Sequence, residues 1–366
     1  MQNKRGFRFL ALLSALLFLI TPLFSVSRAE KTREYVKYSY MFFGTFDTAI
    51  TILGYAQSQE IFDEAVQLAE KQFTNYHRQF DQYHSYPNLN NIYVLNREAS
   101  KNPISVPPEL FNLIDYCKRM ESVTNGKVNI ALGAVLSLWH EAREVADLDP
   151  ENAALPGMAD LMAAARHVNL DDVVLDAEKQ TVFYKDPLLK LDVGAVAKGY
   201  ATERVARELL QGKLQHFIIN AGGNVRTGSP PLDGRNNWNV AIQDPNAALF
   251  FANDGDILDL LYLHDQSAVT SGDYQRFFTV DDKRYHHIIS PDTLMPSNYM
   301  RSVTIITEDS ALADLLSTAV FLMPFEEGLE FVKSLDGVEA LWVLNDNSVR
   351  MTPGAEQFAY SKGAKP

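Results

Sequence analysis

The stretch from Asp192 to Leu210, DVGAVAKGYATERVARELL, constrains the fold more than any other part of the chain. It reads as a strand end at Asp192, a turn of small residues (Gly194-Ala195-Val196-Ala197), and an amphipathic helix opening at Lys198-Gly199-Tyr200-Ala201. A helix start presents unpaired backbone N–H groups that attract phosphate, and small residues let the phosphate come close. Lys198 would add a point charge. The same residues serve equally well for a helix packed tightly on its neighbours. The pattern is neither the GxGxxG of dinucleotide sites nor the GxxxxGK[ST] of P-loops. One helix and one strand later comes a second glycine turn, NAGGNV, from Asn220 to Val225. Paired glycines commonly make only a loop, but two such turns can lie side by side at one edge of a sheet.

Strand and helix patterns interleave along the rest of the chain. Two β-branched and aromatic strands of a hairpin-like or bulged edge are expected around Gly44, then a helix with Ile61, Ala65, Leu68, Ala69 and Phe73 at helical spacing. A helix begins at Pro107-Pro108, where proline is tolerated, and runs to about Val123. Residues 129–170 look helical, and DDVVLD, QTVFYK and LKLDV read as strands. After the Lys198 helix, HFIIN, WNVAIQDP, DLLYLH, QRFFTV, RYHHII and RSVTIITE read as strands. SALADLLSTAVFLM and PFEEGLEFVKSL read as helices, and VEALWVLN as a closing strand. No repeat or long linker is visible, and there is no regular βαβ count. The pattern predicts one large α+β domain over residues 30–366 rather than a doubly wound sheet.

Residues 1–29 stand apart. A basic start (Lys4, Arg5, Arg8), an apolar run from Phe9 to Ile20 and small residues up to Ala29 make a secretory signal, with cleavage expected after Ala29. The alternative is an uncleaved anchor, although the run is shorter than the roughly 20 residues of a span. Losing Lys4, Arg5, Arg8 and Arg28 takes the net charge from −13 to −17. Such acidity argues against nucleic acid and anionic lipid as partners. The lone cysteine, Cys117, has no disulfide partner and reads as a buried small hydrophobe, and the leader has no cysteine to carry lipid. The expected protein is exported, periplasmic or otherwise extracytoplasmic, soluble or loosely membrane-associated, and not a lipoprotein.

Two further segments carry polar groups. AVTSGDYQRFF and YHHIISPDTLMP look like a hairpin pair, offering Thr270, Ser271 and Asp273, though a Ser-Gly-Asp turn is usually inert. His286 and His287 are adjacent, so on a strand one would face a site and the other solvent, and together they cannot make a two-histidine metal site. A lone inward histidine is commonly structural. In ALADLLSTAVFLM, Asp314 and Thr318 lie at i and i+4 on one helix face, with Ser317 nearby. A carboxylate in an apolar helix needs a partner. Two oxygen ligands suit a hard cation such as Mg2+, leaving positions for water and phosphate oxygens. A solvent-facing Asp near the helix start is the alternative. No Cys/His cluster suits zinc.

In order and spacing these motifs resemble the FAD:protein FMN transferases, the ApbE-like flavin transferases, over about residues 40–345. The resemblance is carried by FFGTF, FDQYHSYPNLNNIYVLN, GKVNIALGAVLSLW, DVGAVAKGYATERV, INAGGNV, AVTSGDY, HHIISPDTLMP and ADLLSTA. It implies a T-fold-like α+β domain with helices on antiparallel-rich mixed sheets. It implies flavin or FAD contacts at Phe43, Tyr83, Lys127, Val128, Asn129, Asp192 and Ile288, with Lys198 near the phosphates. Ala195 (through its carbonyl), Asp314, Thr318 and also Ser317 would hold Mg2+, and His287 would be the base. The implied reaction moves FMN from the substrate FAD onto a Thr or Ser hydroxyl of an acceptor protein and releases AMP; the expected acceptor is a membrane-associated or exported electron-transfer protein. The chain departs from the family's HIIDPRTG at Ser290, Asp292 and Leu294, and has Asn129 where many relatives have aspartate. Two other readings stand beside it: hydrolysis of FAD to FMN and AMP, with water replacing the acceptor hydroxyl, or flavin binding without turnover, which those departures would allow. The Asp314/Thr318 pair speaks against the second.

Overall fold

The computed structural model describes residues 34–247 and 256–366. The leader, and with it the expected cleavage after Ala29, lies outside the described residues. Tyr35–Pro366 forms one compact unit.

In chain order the strands are β1 (Val36–Thr45), β2 (Thr48–Ala56), β3 (Ile104–Ser105), β4 (Val173–Asp176), β5 (Thr181–Tyr184), β6 (Phe217–Ala221), β7 (Asn224–Thr227) and β8 (Trp238–Gln243). They continue as β9 (Ile257–Leu263), β10 (Ser267–Gly272), β11 (Phe277–Val280), β12 (Lys283–His286), β13 (Met300–Thr307), β14 (Glu339–Leu344) and β15 (Val349–Met351). The described helices are α1 (Gln59–Phe80), α2 (Ile92–Glu98), α3 (Pro108–Glu121), α4 (Gly133–Leu148), α5 (Met158–Ala164), α6 (Ala197–Gln211), α7 (Ser310–Phe321), α8 (Phe325–Lys333) and α9 (Pro353–Glu356).

The frame is an eight-stranded sheet in the order β1-β2-β6-β7-β10-β13-β14-β15, antiparallel at every ladder. The expected mixed pairing therefore narrows to antiparallel, with a lone parallel bridge between Leu132 and Lys190. One face carries the main core, where Val303 and Ile305 of β13 meet Leu315, Leu316 and Ala319 of α7. The other face is covered by the β8–β9 ribbon and α9, where Ile306 and Val343 meet Val240, Leu261 and Ala355. Covered on both faces, β13 is buried at every position but Arg301, its polar Ser302, Thr304 and Thr307 included. A third cluster joins α4 and α5 to the β11–β12 hairpin through Trp139, Leu161, Phe278 and Leu294.

Of the two expectations for the first strands, the bulge falls at Gly44 and the hairpin turns just beyond it at Phe46-Asp47, both left-handed (φ 52° and 51°). Three local expectations are corrected. The buried face of α1 is Phe62, Val66, Ala69 and Phe73, with Ile61 and Ala65 packed beside it, and of the expected residues only Leu68 stands exposed, at the edge of the apolar stripe. LKLDV makes no strand, so Asp192 follows a single bridge and its N–H donates to the Ile130 carbonyl. AVTSG joins the main sheet as β10, and the neighbouring hairpin is β11 with β12.

Candidate active site

The site begins where α6 meets α7. A Cβ on Gly199 would lie 2.3 Å from the Ser310 carbonyl oxygen and 2.4 Å from Asp314 Cβ, so only glycine permits this approach. The tight-packing and phosphate readings of this turn are thus not exclusive. With the helices this close, Gly199 N–H donates to Asp314 Oδ2 at 2.7 Å instead of closing a turn onto the Ala195 carbonyl. Asp314 is buried, which excludes the solvent-facing alternative. Burial pushes its carboxyl pKa up, opposed by Lys198 and the Gly199 N–H. Burial likewise lowers the Lys198 pKa, with Asp314 pulling the other way. Asn224 lies between them, oriented with its amide nitrogen 3.3 Å from Asp314 Oδ1 and its oxygen 3.1 Å from Lys198 Nζ. The NAGGNV glycines (φ 60° and 91°) form the β6–β7 hairpin turn that the left-handed pair favours. Asn224, not the glycine turn, reaches the Asp314–Lys198 pair.

Ala195, Lys198, Asp314 and Thr318 line one cleft of about 300 Å³. Among the described residues no group of three His, Cys, Asp or Glu side chains could hold a metal. The donors present are one carboxylate, a backbone carbonyl and the Thr318 hydroxyl. All are oxygens, a set that fits Mg2+ with positions left for water and phosphate, and does not fit zinc. Ser317 is fully buried, its Oγ bonded to Ser271 Oγ (2.8 Å) and the Asp314 carbonyl (2.9 Å), and it does not line the cleft.

The two histidines have separate duties. His286 ends β12, buried against the edge of Phe321. Its Nε2–H donates to the Ser297 carbonyl and its Nδ1 accepts from Ile288 N–H, so although it borders the same cleft both ring nitrogens are engaged and it shapes the turn. His287 opens into the cleft. Its Nδ1 lies 3.1 Å from the Arg276 carbonyl, which can only accept, so Nδ1 carries the hydrogen. Nε2 keeps its lone pair and has no partner among the described residues. Although His287 is exposed to the cleft, loss of hydration there, then the Arg276 guanidinium and His286, push its pKa down to about 3. The ring is neutral at pH 7, with the Nε2 lone pair free.

At the other end, Trp139, Phe278 and Tyr285 form an aromatic wall, with Trp139 and Tyr285 stacked at 6.3 Å. Tyr83 lies 4.5 Å from His140 at the rim. Val128, Ile288 and Lys127 line the same cleft. Lys127 Nζ is held by Asp292 Oδ2 at 2.7 Å, which raises its pKa. Asn129 lines the cleft, but its amide donates to the Val168 carbonyl and accepts from Ala131 N–H, so it is spent on its own turn. Asp192 accepts from Gln82 (2.6 Å) and Gly194 N–H (2.8 Å), tying the loop after α1 to the small-residue turn. Phe43 is 70% exposed on β1 and does not line the cleft, whereas Phe46 does. Asn224, Gln82 and Arg276 escaped the sequence reading because their roles arise only in three dimensions. The QRFF run beside an aromatic hairpin was the one hint of Arg276.

The departures from the family motif keep its turn. Ser290 Oγ accepts Asp292 N–H (3.2 Å), as an aspartate would. Leu294 takes the left-handed backbone (φ 60°) that suits glycine, while its carbonyl accepts from Trp139 Nε1 at 2.9 Å.

Known proteins agree with this geometry. A FAD:protein FMN transferase of Klebsiella pneumoniae is 31% identical over 70% of this chain and 75% of its own length. One from Treponema pallidum is 32% identical over 71% of this chain and 72% of its own. The crystal structure of the ApbE protein of Thermotoga maritima superposes with a TM-score of 0.76 at 28% identity, covering 89% of this chain and 99% of that one. The flavin transferase ApbE of Vibrio cholerae shares the fold at a TM-score of 0.72 and 21% identity, covering 89% and 100%. The ApbE family model matches residues 46–342, and the chain belongs to the ApbE family.

Proposed function

We propose that this protein is a FAD:protein FMN transferase that uses Mg2+ and joins FMN to a Thr or Ser hydroxyl of an acceptor protein. The observation that carries the reading is that Ala195, Asp314 and Thr318 line one cleft with a neutral histidine whose second ring nitrogen has no partner among the described residues. Ala195, Asp314 and Thr318 would hold Mg2+, which would supply charge neutralisation to the phosphates when bound. Lys198 adds a second positive charge, kept in place by Asn224 and Asp314. The aromatic wall of Trp139, Phe278 and Tyr285 gives a flat ring a surface to lie on. His287 Nε2 takes the proton of the acceptor hydroxyl as its oxygen bonds to the FMN phosphorus. The bond from that phosphorus to the bridging oxygen breaks, and AMP leaves with the electron pair. Phosphoryl transfer needs positioning and charge neutralisation more than covalent catalysis by the protein. A site of backbone turns, one carboxylate and one base suffices.

The acceptor is proposed to be an exported or membrane-associated electron-transfer protein, reached after export directed by residues 1–29. Among the described residues no helix is long and apolar enough to cross a membrane. Purified protein is incubated with FAD and an acceptor fragment bearing a flavinylatable Thr, with and without Mg2+. In-gel flavin fluorescence of the acceptor and AMP release, both dependent on Mg2+, are expected. AMP and FMN without a labelled acceptor would instead make it a hydrolase, and FAD bound without AMP release would make it a carrier.

A further inference from the structure

Behind the α6–α7 contact lies a set of charged groups that do not line the cleft. Glu203 on α6 and Arg226 on β7 are 5% and 6% exposed. Glu203 Oε2 accepts from Arg226 Nε (3.1 Å) and from Ser310 N–H at the start of α7 (2.9 Å). Its Oε1 accepts from Arg207 Nε at 2.8 Å, and Arg207 Nη2 reaches Asp309 Oδ2 at 2.8 Å. Asp309 in turn caps α7 through Ala311 N–H and Leu312 N–H.

The placement repeats the site one turn away. Glu203 follows Gly199 by one turn of α6, Ser310 precedes Asp314 by one turn of α7, and Arg226 lies two residues beyond Asn224 on β7, on the same strand face. The three elements that bring Gly199, Asp314 and Asn224 together are thus pinned a second time by one buried carboxylate. Ser310 is held at its N–H by Glu203, while its carbonyl is the atom that Gly199 approaches. A buried ion pair is a poor source of net stability, since desolvation offsets its attraction, but it fixes register well. We infer that the Glu203–Arg226 pair is a positioning device that sets the α6–α7–β7 register and thereby the affinity of the Asp314 site for a divalent cation.

This rests on the Mg2+ reading, and the experiment separates the two. Mn2+ alone is the probe, its binding to the full-length metal-free protein followed by electron paramagnetic resonance, alongside amide exchange of the Gly199 segment and FAD affinity without metal. Glu203→Gln should weaken Mn2+ binding about tenfold or more, the usual effect of losing a group that orients a metal ligand. Gly199 exchange should speed up, and metal-free FAD affinity should hold within about twofold. Because Glu203→Gln strands a buried guanidinium, the double variant Glu203→Gln/Arg226→Met serves where the single one folds poorly; it removes both charges and should regain thermal stability without regaining Mn2+ affinity. If the double variant binds Mn2+ like wild type, the pair serves folding alone and the inference fails. If Asp314→Ala also binds Mn2+ like wild type, the metal reading fails, and the inference with it.

Discussion

The two ends of the cleft hold their residues by different means. At the α6–α7 junction, Gly199 has no room for a Cβ, its N–H is given to Asp314, and a buried carboxylate behind it pins the same helices. At the opposite end, the segment from His286 to Ser297 is held by side chains reaching carbonyls and by one exposed-side ion pair: Trp139 on Leu294, His286 on Ser297, Lys127 on Asp292. Where backbone meets backbone, only one residue type fits. Where a side chain meets a carbonyl, the partner's identity is free, since every residue has a carbonyl. That is why the departures at Ser290, Asp292 and Leu294 fall at this end and the turn survives them.

The largest test of that contrast is Asp314→Ala. Loss of the site's single carboxylate among the proposed ligands should cost several kcal/mol in the transition state, more than about 10³-fold in FMN transfer. Turnover within about twofold of wild type would remove Asp314 from the chemistry. Gly199→Ala should follow, at about 10²-fold, because the new methyl must push Ser310 and Asp314 away and break the 2.7 Å bond. An Ala variant with normal activity and an unchanged helix contact would show that the junction is not limited by its backbone.

His287→Ala should slow transfer about 10²- to 10⁴-fold with little change in FAD affinity. His286→Ala is no neutral control, because His286 holds both Ser297 and Ile288; it should lower activity through the shape of the turn, and lower thermal stability too. The pH dependence distinguishes them. With its pKa held at about 3, His287 is neutral in the free enzyme throughout pH 5 to 8, so kcat/KM should show no fall through pH 6.5 that belongs to this ring. The sign for stability follows. Between pH 6.5 and about 3 the unfolded chain binds a proton at this histidine and the folded one does not, so its contribution becomes destabilising as pH falls through that window. An acid limb near pH 6.5 that vanishes in His287→Gln would contradict the lowered pKa while leaving His287 as the base.

Leu294→Gly should have the smallest effect. It relieves about 1–2 kcal/mol of left-handed strain but gives up about 1.5–3 kcal/mol of burial against Trp139 and Leu132. The net loss should be near 1 kcal/mol by denaturant titration, with transfer within about twofold. A hundredfold loss of transfer would mean that this end is as constrained as the other.

What could be read in the sequence divides along the same line. Asp314 and Thr318 were legible because an i, i+4 spacing is a local fact, and Gly199 because a small-residue turn into a helix has few uses. Asn224 was hidden behind the more conspicuous glycines beside it, whose part is the hairpin turn. Arg276 was hidden because its carbonyl and guanidinium act on a histidine eleven residues away. Phe43 was preferred to Phe46 because nothing in FFGTFDT signals a two-residue turn with Phe in a left-handed conformation, a placement that the surrounding sheet imposes on the residue. On α1 only Leu68 was misplaced, because helical spacing puts it at the margin of a stripe centred on Phe62, Val66, Ala69 and Phe73. The antiparallel order of eight strands lay beyond reach, because neighbours such as β2 and β6 are separated by more than 150 residues.

The Gly199 N–H has a consequence for how the cleft can breathe. Its bond to Asp314 crosses from one helix to another, so the first turn of α6 cannot fray without releasing α7, and the buried charges behind them enforce the same joint loss. These helices therefore open as one cooperative unit, at a cost close to that of global unfolding. The facing wall of α4 and the β11–β12 hairpin has weaker ties, among them the Trp139 N–H and the half-exposed Lys127–Asp292 pair. The segment carrying His287 is nevertheless joined to α7, through Ser297 Oγ on the Phe321 carbonyl and the His286 ring on Phe321, so the base is referenced to the same helix as Asp314.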